Sequence, residues 1–274
     1  MNLELLKEIL AVPTQSYRED QMVEWLEKYV SYSLPGCTVG KDMYNNVYIT
    51  KGKADVFPCV AAHLDSVQPI RTISIVENEG YLRGYDETGK QVGMGADDKA
   101  GVFVCLELLK KMKNLKCTLF AGEEVGCVGS RCADKSFFSD IGFLMEFDCP
   151  GTGLMSFSCG GEQLFSREGA FIERALPVLK ENNFLKWGDH PFTDVMIIRR
   201  RFEISCLNIG CGYRNWHAST ESVNISETEK AIQTGEQILN ALGNERYPFK
   251  RSEKIDPWGE GSPFPDTEKA LFRF

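Results

Sequence analysis

Three short apolar runs constrain this chain most. Residues 56–62, 117–121 and 141–147 are almost uninterrupted in hydrophobic character and lack the in-and-out alternation of a half-exposed strand. A strand can be apolar on both sides only if both are covered, and crossover helices do this for parallel strands. Helical patterns fall around these runs. Leu3, Leu6 and Leu10 mark a first helix, and Met22, Val23, Leu26, Tyr29 and Val30 form the apolar face of a second. Further helices are expected over residues 102–109, from about Val128, over 171–179, near 195–199, and from Ser226 to Leu242 before Gly243. Ser16-Tyr-Arg-Glu19 and Ser226-Glu-Thr-Glu229 have the spacing of capping boxes. Residues 73–78 and 81–84, split by Glu79-Gly80, predict a hairpin, with other strands at 38–39, 46–50 and 202–209. The alternation predicts an α/β fold: a mainly parallel, mixed central sheet with helices on both faces.

The 274 residues allow one large domain. We expect residues 1–243 to form it and 244–274, with Pro248, Pro257, Pro263 and Pro265 among aromatics and charges, to be a tail. A net charge of −8 argues against nucleic acid as a partner, and no polybasic run suggests a membrane surface. The first residues lack the basic-then-apolar order of a signal peptide, and no apolar run approaches the roughly 20 residues of a membrane span. Ten cysteines without a C-x-x-C pair are expected as reduced thiols in the cytoplasm.

Polar residues gather where each buried run ends. His63-Leu-Asp65 follows the first, Gly122-Glu-Glu124 the second and Asp148 the third, while Asn215-Trp-His217 comes late. Between the first two lies Gly93-Met-Gly-Ala-Asp-Asp-Lys-Ala-Gly101, which places Asp97 and Asp98 side by side among small residues. Two adjacent carboxylates repel, so a positive charge is expected beside them, either Lys99 or a divalent metal. Taken singly, a His-x-Asp pair, a Glu-Glu pair and an Asp-Asp turn are all ordinary. Their shared placement at strand ends is not, because ligands of open parallel sheets collect there. Two histidines with three carboxylates suit zinc, cobalt, manganese or iron.

In this order, His63-x-Asp65, Gly95-Ala-Asp-Asp-Lys-Ala-Gly101, Glu123-Glu124, Asp148 and His217 resemble the motifs of the co-catalytic zinc exopeptidases. That group includes compact aminopeptidases and peptidase T-like enzymes. The resemblance implies two divalent metal ions, zinc with cobalt or manganese as alternatives. It implies that Asp97 bridges them, that His63 and Asp148 complete one position, and that Glu124 and His217 complete the other. Asp65 would orient His63, Glu123 would be the general base for a metal-activated water, and Asp98 would shape the loop. Peptidase T-like relatives carry a lid domain between the fourth and fifth ligands. The short interval from Asp148 to His217 predicts none here.

The expected activity is that of an aminopeptidase on short peptides. The alternatives are a carboxypeptidase, an amide deacylase acting on N-acyl amino acids, or a metal-binding homologue without turnover. Arg214 and Trp216 are candidate substrate residues, Arg214 for a carboxylate and Trp216 for a side-chain pocket. An Arg214 paired with a protein carboxylate and a Trp216 in the core are equally compatible with the sequence. His190 is expected in a loop, Asp194 as a cap or orienting acid, and Cys159-Gly-Gly161 as a tight turn.

Overall fold

A computed structural model describes residues 1–184, 186–190 and 192–249. His190, expected in a loop, is instead the last residue of a strand, Lys186–His190, while its side chain and residues 250–274 of the expected tail lie outside the described residues. The chain opens with helices α1 (Leu3–Ala11) and α2 (Asp20–Ser33) and strands β1 (Cys37–Lys41), β2 (Val47–Lys51) and β3 (Phe57–His63). Next come β4 (Ser74–Asn78), β5 (Tyr81–Tyr85), β6 (Gln91–Val92), α3 (Ala96–Lys111) and β7 (Leu115–Phe120). Short helices α4 (Val128–Cys132) and α5 (Lys135–Phe138) lead to β8 (Ile141–Cys149), β9 (Leu154–Cys159) and β10 (Glu162–Gln163). The remainder is α6 (Ala170–Glu181), β11 (Lys186–His190), α7 (Asp194–Phe202), β12 (Cys206–Gly210), β13 (Tyr213–Arg214), β14 (Ser222–Asn224) and α8 (Ile225–Leu242).

The main sheet runs β1-β2-β7-β3-β8-β12-β9-β10, with β11 beside β9. Its centre, β7, β3, β8 and β12, is parallel. Antiparallel pairings attach β2 to β7 and β9 to β12, so the sheet is mixed. Every residue of β3, β7 and β8 is buried, as their apolar runs require. Neighbouring residues of β8 show the two covers. The Phe147 ring occupies the space where a side chain on Gly235 of α8 would stand. Glu146 faces the other way and accepts a hydrogen bond from Val195 N of α7 at 3.2 Å. Successive side chains of a strand point to opposite faces, so α8 and α7 cover opposite sides.

The predicted hairpin forms as β4 and β5 and joins a second sheet, β13-β14-β5-β4 with β6 on β5. Between Asp148 and His217 the described residues place β9, β10, β11 and β12 in the main sheet, so this interval builds sheet rather than a lid domain. After α8 the chain continues to pack. Tyr247 is buried and donates its backbone N–H to Gly142 O at 2.9 Å. Glycine at 142 permits this, because a Cβ there would stand 2.0 Å from Glu245 O.

Both capping boxes are replaced by other pairings. Helix α2 starts at Asp20 without a side-chain cap, and Ser16 Oγ donates to Asp65 Oδ2 at 2.7 Å instead. Helix α8 is capped by Asn224, whose Oδ1 accepts from Glu227 N at 3.1 Å, while Ser226 donates to Asn224 and Glu229 pairs with the Met1 amine. Asn224 wins because its backbone is already extended (φ −85°, ψ 117°), as a cap residue must be.

Candidate metal centre

The parallel centre of the sheet brings the polar residues together. His63 ends β3, Asp148 lies near the end of β8, and Glu123 and Glu124 follow β7. Their turn is tight: Gly126 N and Cys127 N both donate to Glu123 O at 2.9 Å. Asp97 and Asp98 stand at the start of α3 in non-helical conformations, joined by a cis peptide. His217 comes from the loop between β13 and β14.

Asp97 faces both histidines, one with each oxygen. Its Oδ1 is 3.1 Å from His63 Nε2 and its Oδ2 is 3.4 Å from His217 Nε2. Asp148 Oδ1 lies 3.8 Å from His63 Nε2, and Glu124 Oε1 lies 2.9 Å from His217 Nε2. His63 Nδ1 sits 3.2 Å from the Asp65 carbonyl, which accepts only, so Nδ1 carries the hydrogen. Nε2 of the neutral ring then presents a lone pair towards carboxylate oxygens. Acceptors facing acceptors at this distance require a shared cation, either a proton or a metal. The same geometry raises His217 to about 10, chiefly through Asp97 and Glu124. Burial opposes ionisation of Asp97, but the two histidines outweigh it and hold the carboxyl well below its usual range. Imidazole nitrogen and carboxylate oxygen are the donors that borderline divalent metals select, so the donor set fits zinc, cobalt or manganese.

Lys99 is not the missing charge. It is buried, and its Nζ turns away to donate to Met94 O at 2.7 Å and Leu10 O at 3.1 Å. Burial pulls its pKa down to about 7. Asp98 is engaged elsewhere as well, accepting from His63 N at 3.2 Å and Gly101 N at 3.1 Å, so it braces the loop. The Asp65 carboxylate stands 3.5 Å from His63 Nδ1, farther than its own backbone carbonyl. Its stronger bonds are to Glu123 N at 2.9 Å and Ser16 Oγ at 2.7 Å, so it ties the glutamate turn to β3 as well as steadying the histidine.

Sequence reasoning missed the groups behind this cluster. Thr193 Oγ1 lies between Asp148 Oδ2 at 2.9 Å and Glu146 Oε2 at 3.0 Å, with one hydrogen for two carboxyls. Burial, then Asp194 and Asp148, push the Glu146 carboxyl well above its usual range. Tyr213 Oη donates to Asp148 Oδ1 at 3.1 Å, and Asn208 Oδ1 accepts from Asp148 N at 2.8 Å. Glu221 accepts from Met94 N and Gly95 N, both at 2.7 Å. Its place four residues after His217 was the one available signal. Asp194 is fully buried at the start of α7.

A cavity of about 220 Å³ opens beside the cluster. Asp97, Glu123, Glu124, Asp148 and His217 form one side, and Leu154, Met155, Phe192 and Trp216 supply apolar walls. Trp216 therefore sits at the cavity while also packing on the core and edge-on to Tyr213. Arg214 does not line the cavity. Its guanidinium forms an ion pair with Glu227 at the surface. Among the described residues, no lysine or arginine lines the cavity. Arg214→Ala is accordingly expected to change kcat and KM by no more than about twofold, since exposed ion pairs contribute little. A large rise in KM confined to carboxylate-bearing substrates would return Arg214 to the binding site.

Residues 45–242 match the family model described as Peptidase family M28. A curated relative, "Uncharacterized protein YqjE" of Bacillus subtilis (strain 168), is 30% identical over 95 residues, 32% of this chain. The match spans only 24% of that relative's length. Among solved structures, aminopeptidase PepT from Bacillus cereus ATCC 10987 is similar with a TM-score of 0.73 at 16% identity, covering 88% of this chain and 97% of that one. A tripeptidase from Staphylococcus aureus reaches 0.75 at 14% identity with the same coverage. Aminopeptidase APDkam598 from the archaeon Desulfurococcus kamchatkensis reaches 0.64 at 14%, covering 88% and 96%. At such identities the likeness is one of fold.

Proposed function

The chain belongs to peptidase family M28, and from that premise we propose that it is a dinuclear metallo-aminopeptidase acting on short peptides. The observation that carries this reading is the placement of the two Asp97 oxygens, 3.1 Å from one histidine and 3.4 Å from the other. His63 and Asp148 would hold one ion with Asp97, and Glu124 and His217 the other. Bound there, divalent cations supply Lewis acidity that polarises a scissile carbonyl and acidifies water.

Glu123 supplies the proton transfer. Its carboxylate lines the cavity, and neither histidine claims it in a hydrogen bond. Burial first, then Asp148, Asp194 and Glu124, raise its pKa, which suits a base that must also act as an acid. It takes a proton from the attacking water as the new C–O bond forms, then gives it to the amine nitrogen as the C–N bond breaks. Asp65 holds the Glu123 backbone in place during both transfers. The walls at Leu154, Met155, Phe192 and Trp216 take the apolar part of the substrate and keep bulk water out.

The direction of cleavage follows from charge. Among its described lining the cavity has no lysine or arginine to anchor a terminal carboxylate, which favours cleavage from the amino end. Residues 1–243, with the stretch 244–249 that packs onto them, would act as the catalytic domain. All ten cysteines are free, which supports a reducing compartment such as the cytoplasm, and no helix among the described residues is long and apolar enough to cross a membrane. The test is hydrolysis of a matched peptide pair, one free and one acetylated at its amino end, after loading with zinc, cobalt or manganese. Cleavage of the free peptide alone, from its N-terminus, is expected. Cleavage of the acetylated peptide would move the assignment to a carboxypeptidase or deacylase.

A further inference from the structure

We propose that Glu221 is a positioning residue that locks the His217 loop onto the Asp97 loop and thereby sets the metal position shared by Glu124, Asp97 and His217. The inference rests on the dinuclear reading above. It starts from an asymmetry between the two ends of the cluster. The side chains of His63, Asp97, Glu124 and Asp148 are at most 8% exposed, whereas that of His217 is 44% exposed. The first four belong to main-sheet strands, the tight turn after β7 or the start of α3. His217 stands instead on a loop between a two-residue strand and a three-residue strand.

The bonds within that loop are long. Ala218 N donates to Asn215 O at 3.3 Å, Asn215 Nδ2 to Thr220 O at 3.3 Å, and Glu221 N to Ala218 O at 3.2 Å. Asn215 and His217 both adopt left-handed backbone angles, φ 54° and 62°, a conformation that asparagine and histidine enter more readily than most residues, so the loop turns sharply at both. Something beyond the loop must therefore hold the imidazole in place.

Glu221 is that anchor. It is 1% exposed and reaches into the turn that precedes α3. One oxygen accepts from Met94 N and Gly95 N at 2.7 Å each, and the other lies 3.4 Å from Asp97 N. Short charge-assisted bonds of this kind are about twice as strong as neutral ones. Lys99 grips the same turn from the other side through Met94 O. Met94 is thus held at both its N–H and its carbonyl, and the carboxylate that holds the N–H lies four residues from His217. Asp97 and His217, which must meet on one ion, are joined through this clasp. Because the His63 and Asp148 side chains come from β3 and β8, two of the three groups of the other position do not depend on it.

The experiment counts metal. Zinc would be titrated into the metal-free full chain of wild type, Glu221→Ala, Glu221→Gln, His217→Ala and the Glu221→Ala/His217→Ala double variant, with affinities read by chelator competition and folding by far-ultraviolet circular dichroism. Wild type is expected to bind two ions. Glu221→Ala should keep one tight site and weaken the other by about 10–100-fold, the usual effect of losing a supporting partner. The double variant should bind no worse than His217→Ala alone. Glu221→Gln, which keeps the shape and one acceptor oxygen, should fall between, and it carries the test should the alanine variant fail to fold. Two wild-type-like sites in a folded Glu221 variant would overturn the proposal, as would equal weakening of both sites, the mark of a general structural role. A wild-type chain that binds only one ion would instead overturn the dinuclear reading, and this proposal with it.

Discussion

Replacing Asp97 with alanine is expected to remove both metal positions at once and to lower kcat/KM by at least about 10³-fold, since Lewis-acid stabilisation is worth several kcal/mol and each 1.36 kcal/mol is tenfold. The expectation comes from the division of labour between its oxygens, which face different histidines. Changing Glu124 or Asp148 touches one side only and should leave one ion bound. Thermal unfolding separates the cases. With metal at 100 times its Kd, each occupied site adds about 2.7 kcal/mol to stability. Wild type should gain on metal addition, the Glu124 and Asp148 variants should gain less, and Asp97→Ala should gain almost nothing. An Asp97→Ala chain that still binds one ion tightly would show that Asp97 serves a single position.

The contrast between Lys99 and Asp97 shows how far the sequence could carry the site. His63, Glu123, Glu124 and Asp148 were legible because each ends or follows a run of residues buried on both faces, and such runs end at the ligand edge of a parallel sheet, whereas Asp97 was legible from the paired carboxylates of its glycine-rich loop. Lys99 lies two residues from Asp97, and local spacing made it a natural counter-charge. The helical turn carries it to the far side, onto Met94 O and Leu10 O. Nothing local to Lys99 encodes Leu10 O as an acceptor, because 89 positions separate them.

The same reason hid Glu221 and Thr193. Their partners lie 126 and 45 residues away, at Gly95 and Asp148. The capping boxes failed through a related competition. A serine hydroxyl has several possible acceptors, and at Ser16 the buried Asp65 carboxylate outbid the start of a helix. Where a choice depended on burial and period alone, as in β3, β7, β8 and α8, it was legible in the residues. Where it depended on which of several polar partners the fold delivers, it was not.

Glu123→Gln is expected to lower kcat by about 10²–10⁴-fold, the usual contribution of a positioned general base, while leaving KM and metal content nearly unchanged. Glutamine keeps the size of the side chain and its seat on the cavity wall but cannot accept the proton of the attacking water. The surroundings argue that the fold will tolerate it. Asp65 holds residue 123 through its backbone N–H, which the substitution does not alter. The side chain's one described hydrogen-bond partner, Cys127 Sγ at 3.8 Å, is distant. Burial works against the charged carboxylate, so a neutral amide relieves that cost rather than adding to it. Kinetics with elemental analysis of the purified variant decide the matter. A variant that loses turnover but keeps its metal identifies Glu123 as the proton carrier. If metal and turnover vanish together, Glu123 is a ligand, and the proton must travel through another group on the cavity wall.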